Sequence, residues 1–362
     1  MNIVISGVRG IPARYGGFET SAEQTAIRMA ALGHKVTVYC RETEKVNTER
    51  EYKGVKLIYL PSFHLKSLET ISHSLLAGFH AAFLHRGCTV VHMYNAASSF
   101  GGLFVKLSGK RLVMTLDGIE WERENWGSLA KFVWKVATWL SVKISDKVIC
   151  DSRFVGDYFQ SLYQVDIRYI PYGAKMIDKA IPLNKSFGLE KGRYLIFIGR
   201  FVKEKGVDRL IEAYNHISTD VPLVLIGDNE NDPEYVNNLK KRSCSNVLFF
   251  GYRYGDEYES LLANAMAYVS ASMLEGTSPS LLAAMGAKVC CLVNGIAENR
   301  ETGAESVLYF DGTVEDLTQK IRCLISDDLL VEEYAKKGYE RVRELYNWDV
   351  VTSSYVEAYS FS

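Results

Sequence analysis

The stretch "RYLIFIGRFVKEKG", Arg193 to Gly206, passes from a short apolar run into a charged loop at a glycine. Such a run, bounded by a turn residue, predicts a buried strand. A helix is predicted next at 206–217, followed by a strand in "PLVLIGD" and a helix at 233–242. Alternating strands and helices predict a parallel, doubly wound α/β sheet, which binds its ligand at the carboxyl ends of the strands.

The same alternation fills the first half of the chain. We predict strands at 2–7, 35–40, 55–60, 89–94, 111–118, 146–152 and 167–174, and helices at 19–32, 66–84 and 128–145. Prolines and glycines interrupt the pattern over 171–192. The chain is therefore predicted to form two domains, 1–175 and 193–345, joined by a linker at 176–192. A terminal helix within 346–362 has an apolar face and is expected to pack back towards the first domain.

The composition excludes several classes of protein. The 362 residues are 48% hydrophobic and 23% charged, which is typical of a globular protein. The net charge of -1 gives no overall basic field for nucleic acid. The cysteines are scattered without zinc-ligand spacing, and no uncharged apolar run reaches the roughly 18 residues that span a bilayer. The N-terminus resembles a strand rather than a signal peptide, so we expect a cytoplasmic protein with reduced thiols.

Two loops place anion-binding residues next to a predicted helix. Gly16 and Gly17 directly precede the first helix, where free N–H groups and the missing Cβ atoms let an anion approach. An ordinary glycine loop is the alternative, although Arg9 and Arg14 in the same loop favour an anion. In the second half, Arg200 leaves the carboxyl end of a strand and Lys205 follows before the helix. Two such cations suit a diphosphate, and a solvated loop is the alternative.

The stretch "MLEGTSPSLLAAMG", which begins at Met273, is a third candidate element. Ser278 is a good N-cap and Pro279 suits a first turn, so a helix is predicted at 279–286. Free N–H groups at the start of this helix can bind a phosphate, and Glu275 can accept hydrogen bonds from sugar hydroxyls. Capping of the helix, or an ion pair with a nearby cation, is the structural alternative for Glu275.

Together the three elements resemble a GT-B glycosyltransferase of family 4 over nearly the whole chain. The segments "GIPARYGGFET" and "TLDGIEWER" resemble more narrowly a bacterial polysaccharide subgroup with many rhamnosyltransferases. The resemblance implies two Rossmann-like domains that face a central cleft, with the acceptor on the first domain and a nucleotide-sugar donor on the second. It also implies retention of anomeric configuration and a donor such as dTDP-L-rhamnose.

Carried over position by position, the resemblance assigns roles to individual residues. The donor-binding positions are Gly16, Gly17, Arg200, Lys205, Tyr252, Arg253, Glu275, Gly276, Thr277 and Ser278. The acceptor-side positions are Arg14, Tyr15, Glu120 and Trp121. The catalytic positions are Asp117, Arg200, Lys205 and Glu275. Arg200 and Lys205 would neutralise the departing diphosphate, which is the main contribution such an enzyme makes without a metal.

Two positions depart from the family pattern. The second Glu of the family's Glu-x7-Glu motif, which holds the nucleotide ribose, is Ala283 here. Its loss would cost about 1.5–3 kcal/mol, or roughly ten- to hundredfold in donor affinity, and a deoxyribose nucleotide would be affected less. Many relatives carry an active-site His where this chain has Asp117, which either faces a substrate or caps the next turn.

No metal or other cofactor is expected. The segment "GDNEND" at 227–232 lacks the remaining positions of a calcium loop and is predicted to be a plain turn. Helix 128–145 places apolar residues on one face, with lysines opposite and tryptophans beside them. That apolar set is Leu129, Phe132, Val133, Val136, Leu140 and Ile144, and the lysines are Lys131 and Lys135. The helix is predicted to be either a core helix or a peripheral contact with an anionic inner-membrane surface.

The sequence therefore predicts a retaining, metal-independent glycosyltransferase. Its donor is expected to be a nucleotide-diphospho-sugar, and its acceptor a lipid-linked precursor of a bacterial surface polysaccharide such as a capsule or O-antigen. Two alternatives stay open: a hexosyltransferase that uses a UDP- or GDP-sugar, and a binding protein that has kept the fold and lost turnover. Ala283 favours the second of these alternatives.

Overall fold

The fold was analysed in a computed structural model, which describes residues 1–13, 16–44, 49–63, 69–116, 118–122 and 127–360. The chain forms two compact units. Unit 1 comprises 1–172 together with 348–362, and unit 2 comprises 173–347.

Unit 1 is built on an eight-stranded sheet with the order β3-β4-β2-β1-β5-β6-β7-β8. Its strands are Asn2–Ser6 (β1), Lys35–Arg41 (β2), Glu51–Tyr52 (β3), Val55–Leu60 (β4), Val90–Tyr94 (β5), Arg111–Leu116 (β6), Lys147–Cys150 (β7) and Ile167–Tyr169 (β8). Its helices up to that point are Gly17–Ala31 (α1), Glu69–Phe79 (α2), Ser99–Leu107 (α3), Ser128–Ile144 (α4) and Arg153–Tyr163 (α5). Neighbouring strands run parallel except in the short β3–β4 hairpin, as the alternation of strands and helices predicts.

Unit 2 repeats this design with six parallel strands in the order β11-β10-β9-β12-β13-β14. The strands are Leu195–Ile198 (β9), Leu223–Ile226 (β10), Val247–Gly251 (β11), Ala267–Ser270 (β12), Cys290–Asn294 (β13) and Leu308–Phe310 (β14). The helices are Val207–Asn215 (α6), Pro233–Arg242 (α7), Gly255–Ala263 (α8), Pro279–Gly286 (α9), Ala297–Gly303 (α10), Val314–Ser326 (α11) and Asp328–Arg341 (α12). The predicted helices at 233–242 and 279–286 are confirmed to the residue.

The predicted strand at 167–174 is too long. The structure ends β8 at Tyr169, and one more hydrogen bond joins the Ile170 N–H to the Cys150 carbonyl. Pro171 follows and has no N–H to donate to a neighbouring strand, so the ladder stops there.

The last helix, Trp348–Ser360 (α13), packs on α1 of unit 1. Its predicted apolar face is confirmed, because Trp348, Val351, Tyr355 and Tyr359 are all buried. The Tyr359 hydroxyl lies 2.6 Å from Nδ1 of His92, whose Nε2 lies 2.7 Å from the Thr115 hydroxyl. Burial lowers the pKa of His92 to about 3, so this ring is a neutral part of the core.

Helices cover both faces of the sheet in unit 1. Side chains alternate along each strand, so Ile3 and Ile5 of β1 face α1 and α13, whereas Val4 faces α2 and α3. The carboxyl ends of the strands carry the loops in which the sequence places its candidate residues. The fold thus brings these residues to one edge of each sheet.

Candidate functional site

An unpaired cation lies at the carboxyl edge of the unit 2 sheet. Arg200 follows β9, is exposed, and has no ion-pair partner among the residues that the structure describes. Tyr252 follows β11, the edge strand next to β10. Its hydroxyl donates a hydrogen bond to the Asp228 carbonyl at 2.9 Å, and its ring stacks on that of Tyr254. Burial raises the pKa of Tyr252, while the charge of Arg200 opposes that rise. The phenol therefore stays protonated and acts as a donor.

Lys205 and Glu275 form an ion pair with each other. The Lys205 ammonium lies 2.6 Å from both carboxylate oxygens of Glu275. The Glu275 side chain is 7% exposed and that of Lys205 is 26% exposed. From the sequence we predicted that Lys205 contacts the diphosphate and that Glu275 contacts the sugar. An ion pair between Glu275 and a nearby cation was the alternative. The structure contains that pair.

Backbone contacts hold the two sides of this pair together. Gly206 has a φ of +62°, and a Cβ at that position would lie 2.1 Å from the Ala271 carbonyl oxygen. The Glu204 carbonyl accepts hydrogen bonds from the Met273 N–H at 2.8 Å and from the Ser272 hydroxyl at 3.2 Å. The loop after β9 is thereby fixed to the loop after β12. A glycine is required at 206 because only a residue without a Cβ fits this approach.

The start of α9 follows Glu275 in the chain. A side chain caps the helix, and the glycine before the cap borders open space. The Ser278 hydroxyl accepts a hydrogen bond from the Leu281 N–H at 3.5 Å, so it is a structural cap. Thr277 is also buried and engaged in the fold. At Gly276, by contrast, a Cβ would meet no heavy atom within 4 Å. Open space above a glycine, next to the N–H groups of a helix start, leaves room for a ligand to approach the backbone.

Ala283 lies one turn into α9. It is partly exposed, as is Ser280, whereas the flanking Leu282 and Ala284 are fully buried. Residues three or four positions apart share a helix face, and helical side chains point towards the N-terminus. A longer side chain at 283 would therefore extend along an accessible face towards the start of the helix.

The Arg253 side chain is directed towards α8, the helix that follows it. Its Nε lies 3.6 Å from a carboxylate oxygen of Glu257, and its guanidinium lies 6.0 Å from the centre of the Phe250 ring. Of these two predicted donor-binding residues, Tyr252 presents an exposed aromatic face and Arg253 supports the loop.

In unit 1, the start of α1 already contains a carboxylate. A Cβ at Gly16 would lie 3.1 Å from the Glu19 carboxylate, and one at Gly17 would lie 3.0 Å from the Tyr172 ring. Buried Glu19 accepts a hydrogen bond from the Arg9 N–H at 3.0 Å. Both glycines thus lie close to groups of their own unit, and an anion here would meet a negative charge.

A second buried acid of α1 holds the rest of the same loop. Glu23 accepts a hydrogen bond from the Ala13 N–H at 2.5 Å and another from the Tyr52 hydroxyl at 3.0 Å. Sequence reasoning missed both glutamates. Their signal was present as acids at i and i+4, which lie on one face of a helix and can accept hydrogen bonds from N–H groups of the loop before it.

The predicted acceptor-side residues that the structure describes are buried. Trp121 packs its ring against Tyr158 and Phe159 in the core between α4 and α5. Glu120 is 7% exposed and engaged in the fold. These two residues shape the loop after β6. Asp117, Arg14 and Tyr15 lie outside the described residues.

The turn "GDNEND" hydrogen-bonds to itself and to the loop after β9. Oδ1 of Asp228 accepts the Asn229 N–H at 2.7 Å, and the Asn229 amide donates to the Phe201 carbonyl. Within the ranges described, no three His, Cys, Asp or Glu side chains converge in a way that could hold a metal ion.

Two residues of the predicted apolar face of α4 do not fit the core-helix alternative. Leu129 is 77% exposed and Phe132 is 62% exposed. The buried residues of the helix are Ala137, Thr138, Ser141 and Val142. The helix packs through small residues because its neighbour α3 approaches closely, which turns large side chains outward. Of the helices described, none is long and apolar enough to cross a membrane.

Comparison with known proteins connects this geometry to a reaction class. Residues 182–341 match the family "Glycosyl transferases group 1", and residues 1–175 match "Domain of unknown function (DUF1972)". The chain is 26% identical over 311 residues to the Methanocaldococcus jannaschii protein named "Uncharacterized glycosyltransferase MJ1178", with 83% of each chain covered.

Solved structures share the fold over nearly the full length. Sucrose-phosphate synthase from Thermosynechococcus elongatus superposes with a TM-score of 0.82 at 19% identity, covering 99% of this chain and 98% of its own. Anabaena HepE in complex with UDP-glucose superposes with a TM-score of 0.77 at 15% identity, covering 99% of both chains. The fold predicted from the resemblance, the two-domain α/β GT-B fold, is confirmed.

Proposed function

We propose that this chain, which matches the family "Glycosyl transferases group 1" over residues 182–341, moves a sugar from a nucleotide diphosphate held by unit 2 to a lipid-linked acceptor. The observation that carries this proposal is Arg200, which has no ion-pair partner in the described part of the chain and lies at the sheet edge that also holds the Lys205–Glu275 pair and the open Gly276. A cation without a protein partner, next to backbone N–H groups, suits a diphosphate. HepE, which has the same fold, was solved with UDP-glucose.

In the proposed reaction, an acceptor hydroxyl attacks the anomeric carbon of the donor sugar on the face that the nucleotide leaves. The bond from the anomeric carbon to the acceptor oxygen forms, and the bond to the diphosphate oxygen breaks. Because the attack is on the face that the nucleotide leaves, the anomeric configuration is retained. A phosphate oxygen of the departing nucleotide takes the hydroxyl proton. Arg200 stabilises the negative charge that develops on the diphosphate.

The Lys205–Glu275 pair supports this step in two ways. A diphosphate competes with Glu275 for the Lys205 ammonium, because phosphate oxygens are strong acceptors of charged hydrogen bonds. Donor binding therefore frees a carboxylate that accepts sugar hydroxyls. Both partners stay near each other because the backbone clamp at Glu204 and Gly206 fixes their loops.

The finer proposal is dTDP-L-rhamnose as donor, transferred without a metal to a precursor of a bacterial surface polysaccharide. It is supported by the resemblance of "GIPARYGGFET" and "TLDGIEWER" to rhamnosyltransferases, and by Ala283. A site without the ribose-binding glutamate loses less with a deoxyribose nucleotide, which has fewer hydroxyls to bind. We place the acceptor at an anionic membrane surface contacted by helix 128–145, whose exposed face carries Phe132, Lys135 and Trp139.

The test is a panel of dTDP-rhamnose, UDP-glucose and GDP-mannose, incubated with the protein with and without EDTA. Release of the nucleoside diphosphate is measured alone and with a lipid-linked saccharide, and NMR gives the anomeric configuration of the product. We expect dTDP release from dTDP-rhamnose, unchanged by EDTA, and a retained product. Turnover of the UDP- or GDP-sugar alone would replace the donor proposal with the hexosyltransferase alternative. Tight donor binding without any release would contradict turnover.

A further inference from the structure

Three helices of unit 1 pack through their smallest residues. α2 packs on α3, and α3 packs on α4. A Cβ at Gly78 would lie 2.1 Å from the Gly101 carbonyl oxygen, and one at Gly101 would lie 1.9 Å from that of Ser74. The Ser99 hydroxyl of α3 donates to the Ala137 carbonyl of α4 at 3.0 Å. Backbone contacts as close as these are typical of helices that associate in lipid, where small residues form the interface.

The large apolar residues of the same helices point outward. The π-helical turn His80–Leu84 continues α2 and adds to this surface. The exposed apolar residues are Leu75, Leu76, Phe79, Phe83, Leu84, Leu103, Leu107, Leu129, Phe132 and Trp139. Leu107 is 80% exposed. A helix on a water-facing surface normally shows the opposite pattern, with polar residues outside. We call this set of residues the outer apolar face.

Aromatic rings in this face touch each other rather than the core. The rings of Phe79 and Phe83 lie 5.2 Å apart, and Phe104 lies 5.9 Å from the first and 6.5 Å from the second. Single exposed apolar residues are normal, whereas a continuous patch across neighbouring helices marks an interaction surface.

The charge around this face is positive. α4 carries exposed Lys135 and Lys143, spaced with Leu129, Phe132 and Trp139 at intervals of three or four residues, on its accessible side. Exposed Arg86 follows the turn after α2, whereas the charge of Lys106 near the end of α3 is paired with Asp146 at 2.5 Å. The four elements α2, the π-helical turn, α3 and α4 contain one acidic residue, Glu69. Its carboxylate pairs with Arg41 at 2.9 Å. Within the described residues of these helices no acid is left unpaired, and an apolar face with exposed lysines complements an anionic lipid surface.

We propose that the outer apolar face docks on an anionic phospholipid bilayer, with the Phe79, Phe83 and Trp139 rings at the boundary between headgroups and acyl chains. This proposal extends the α4 contact of the proposed function to a surface formed by three helices. Only the purpose of the contact, which is to bring unit 1 to a lipid-linked acceptor, rests on the proposed function. The positive charge of the lysines favours an anionic bilayer over an apolar protein partner. It also disfavours a second copy of the chain, because two such faces would repel each other.

The test is co-sedimentation of the full chain with vesicles of phosphatidylcholine alone, or of phosphatidylcholine and phosphatidylglycerol in equal parts. We expect binding to the mixed vesicles, weakened by salt, and little binding to phosphatidylcholine. Lys135→Gln with Lys143→Gln should weaken binding about 25-fold, since each lysine near an anionic surface contributes about fivefold. Trp139 fluorescence should shift to the blue and be quenched by brominated lipid, and Trp139→Phe should remove that signal.

Leu107→Ser should weaken binding to the mixed vesicles about tenfold, because it removes a fully immersed side chain. Leu329→Ser in α12 is the matched control, since Leu329 is also 80% exposed but lies in unit 2. Circular dichroism confirms that each variant folds. Equal loss in both variants, or no binding of the unaltered chain, would overturn the proposal. So would a dimer that Leu107→Ser dissociates in the absence of vesicles. The assay contains no donor, so its failure is separate from a failure of sugar transfer.

Discussion

Two helix starts attracted the same prediction and differ in structure. The start of α1, after Gly16 and Gly17, and the start of α9, after Gly276, both follow a strand end and both offer free N–H groups. At α1, the buried carboxylate of Glu19 and the Tyr172 ring lie against the two glycines. At α9, the glycine is open, and Glu275 beside it is neutralised by Lys205.

The two helix starts have similar backbone geometry and differ in the charges that lie beside them. A helix start supplies partial positive charge, which a nearby carboxylate cancels and a nearby cation reinforces. The α1 start has its own carboxylate, whereas the sheet edge at α9 has Arg200 with no partner among the described residues. The prediction of donor phosphate at Gly16 and Gly17 is therefore the weaker of the two. The following experiments test that ranking, from the largest expected effect to the smallest.

Arg200→Ala should lower the rate of transfer about 10²- to 10³-fold, because it removes a cation that stabilises the leaving diphosphate. Its thermal midpoint should not change, since the side chain is exposed and forms no ion pair with any residue that the structure describes. Steady-state release of nucleoside diphosphate gives the rate. Arg193→Ala is the control, because Arg193 is also exposed but pairs with Asp220. A rate within threefold of the unaltered protein would remove Arg200 from the reaction.

Ala283→Glu should tighten donor binding about ten- to hundredfold by restoring an acceptor for the ribose hydroxyls. Isothermal titration calorimetry with UDP-glucose and dTDP-rhamnose measures the change, and the gain should be larger for the ribose nucleotide. Ala283→Leu controls for side-chain size. Equal affinity in the unaltered protein and the Glu variant would reject the alignment that places the motif at 275 and 283.

Lys205→Met should lower the free energy of unfolding by about 1–3 kcal/mol, because it leaves the buried Glu275 carboxylate unpaired. Urea denaturation measures this loss, and adding Glu275→Gln should recover most of it. Lys147→Met in unit 1 is the comparison. Lys147 is equally exposed, at 26%, but its partner Asp166 is 77% exposed, so we expect a loss of about 0–1 kcal/mol. Similar losses in both variants would show that burial of Glu275 has no energetic role.

Gly276→Ala should weaken donor binding about tenfold while leaving the thermal midpoint unchanged, because its Cβ meets nothing in the protein but occupies space that a ligand needs. Gly127→Ala serves as the control, since Gly127 is a comparably open glycine before α4. Unchanged affinity would mean that the donor does not approach the backbone at 276.

Glu19→Gln should change donor affinity less than twofold, because we expect the donor phosphates at the sheet edge of unit 2 rather than at the start of α1. The amide oxygen still accepts the Arg9 N–H, so the loop keeps its shape. The same titration calorimetry applies. A gain of tenfold or more on removing this charge would reverse the comparison and place the diphosphate at Gly16 and Gly17.

Sequence patterns predicted much of the fold because strand and helix signals are local. Ser278 and Pro279 define the start of α9, and the spacing of Trp348, Val351, Tyr355 and Tyr359 defines the buried face of α13. The helix "SFGGLFVKL" was not assigned, because its two glycines are poor helix formers. It forms since those glycines let α3 approach α2, and that contact lies elsewhere in the chain.

The sequence by itself determined the parallel α/β architecture, the bounds of α9 and the set of charged residues at the strand ends. Only the tertiary structure decided which charges meet. It pairs Lys205 with Glu275, leaves Arg200 without a partner among the described residues, and sets Glu19 against the α1 glycines. It also turns Leu129 and Phe132 outward. The physical reason is that periodicity is set by neighbouring residues, whereas pairing and exposure depend on close contacts between segments far apart in the chain.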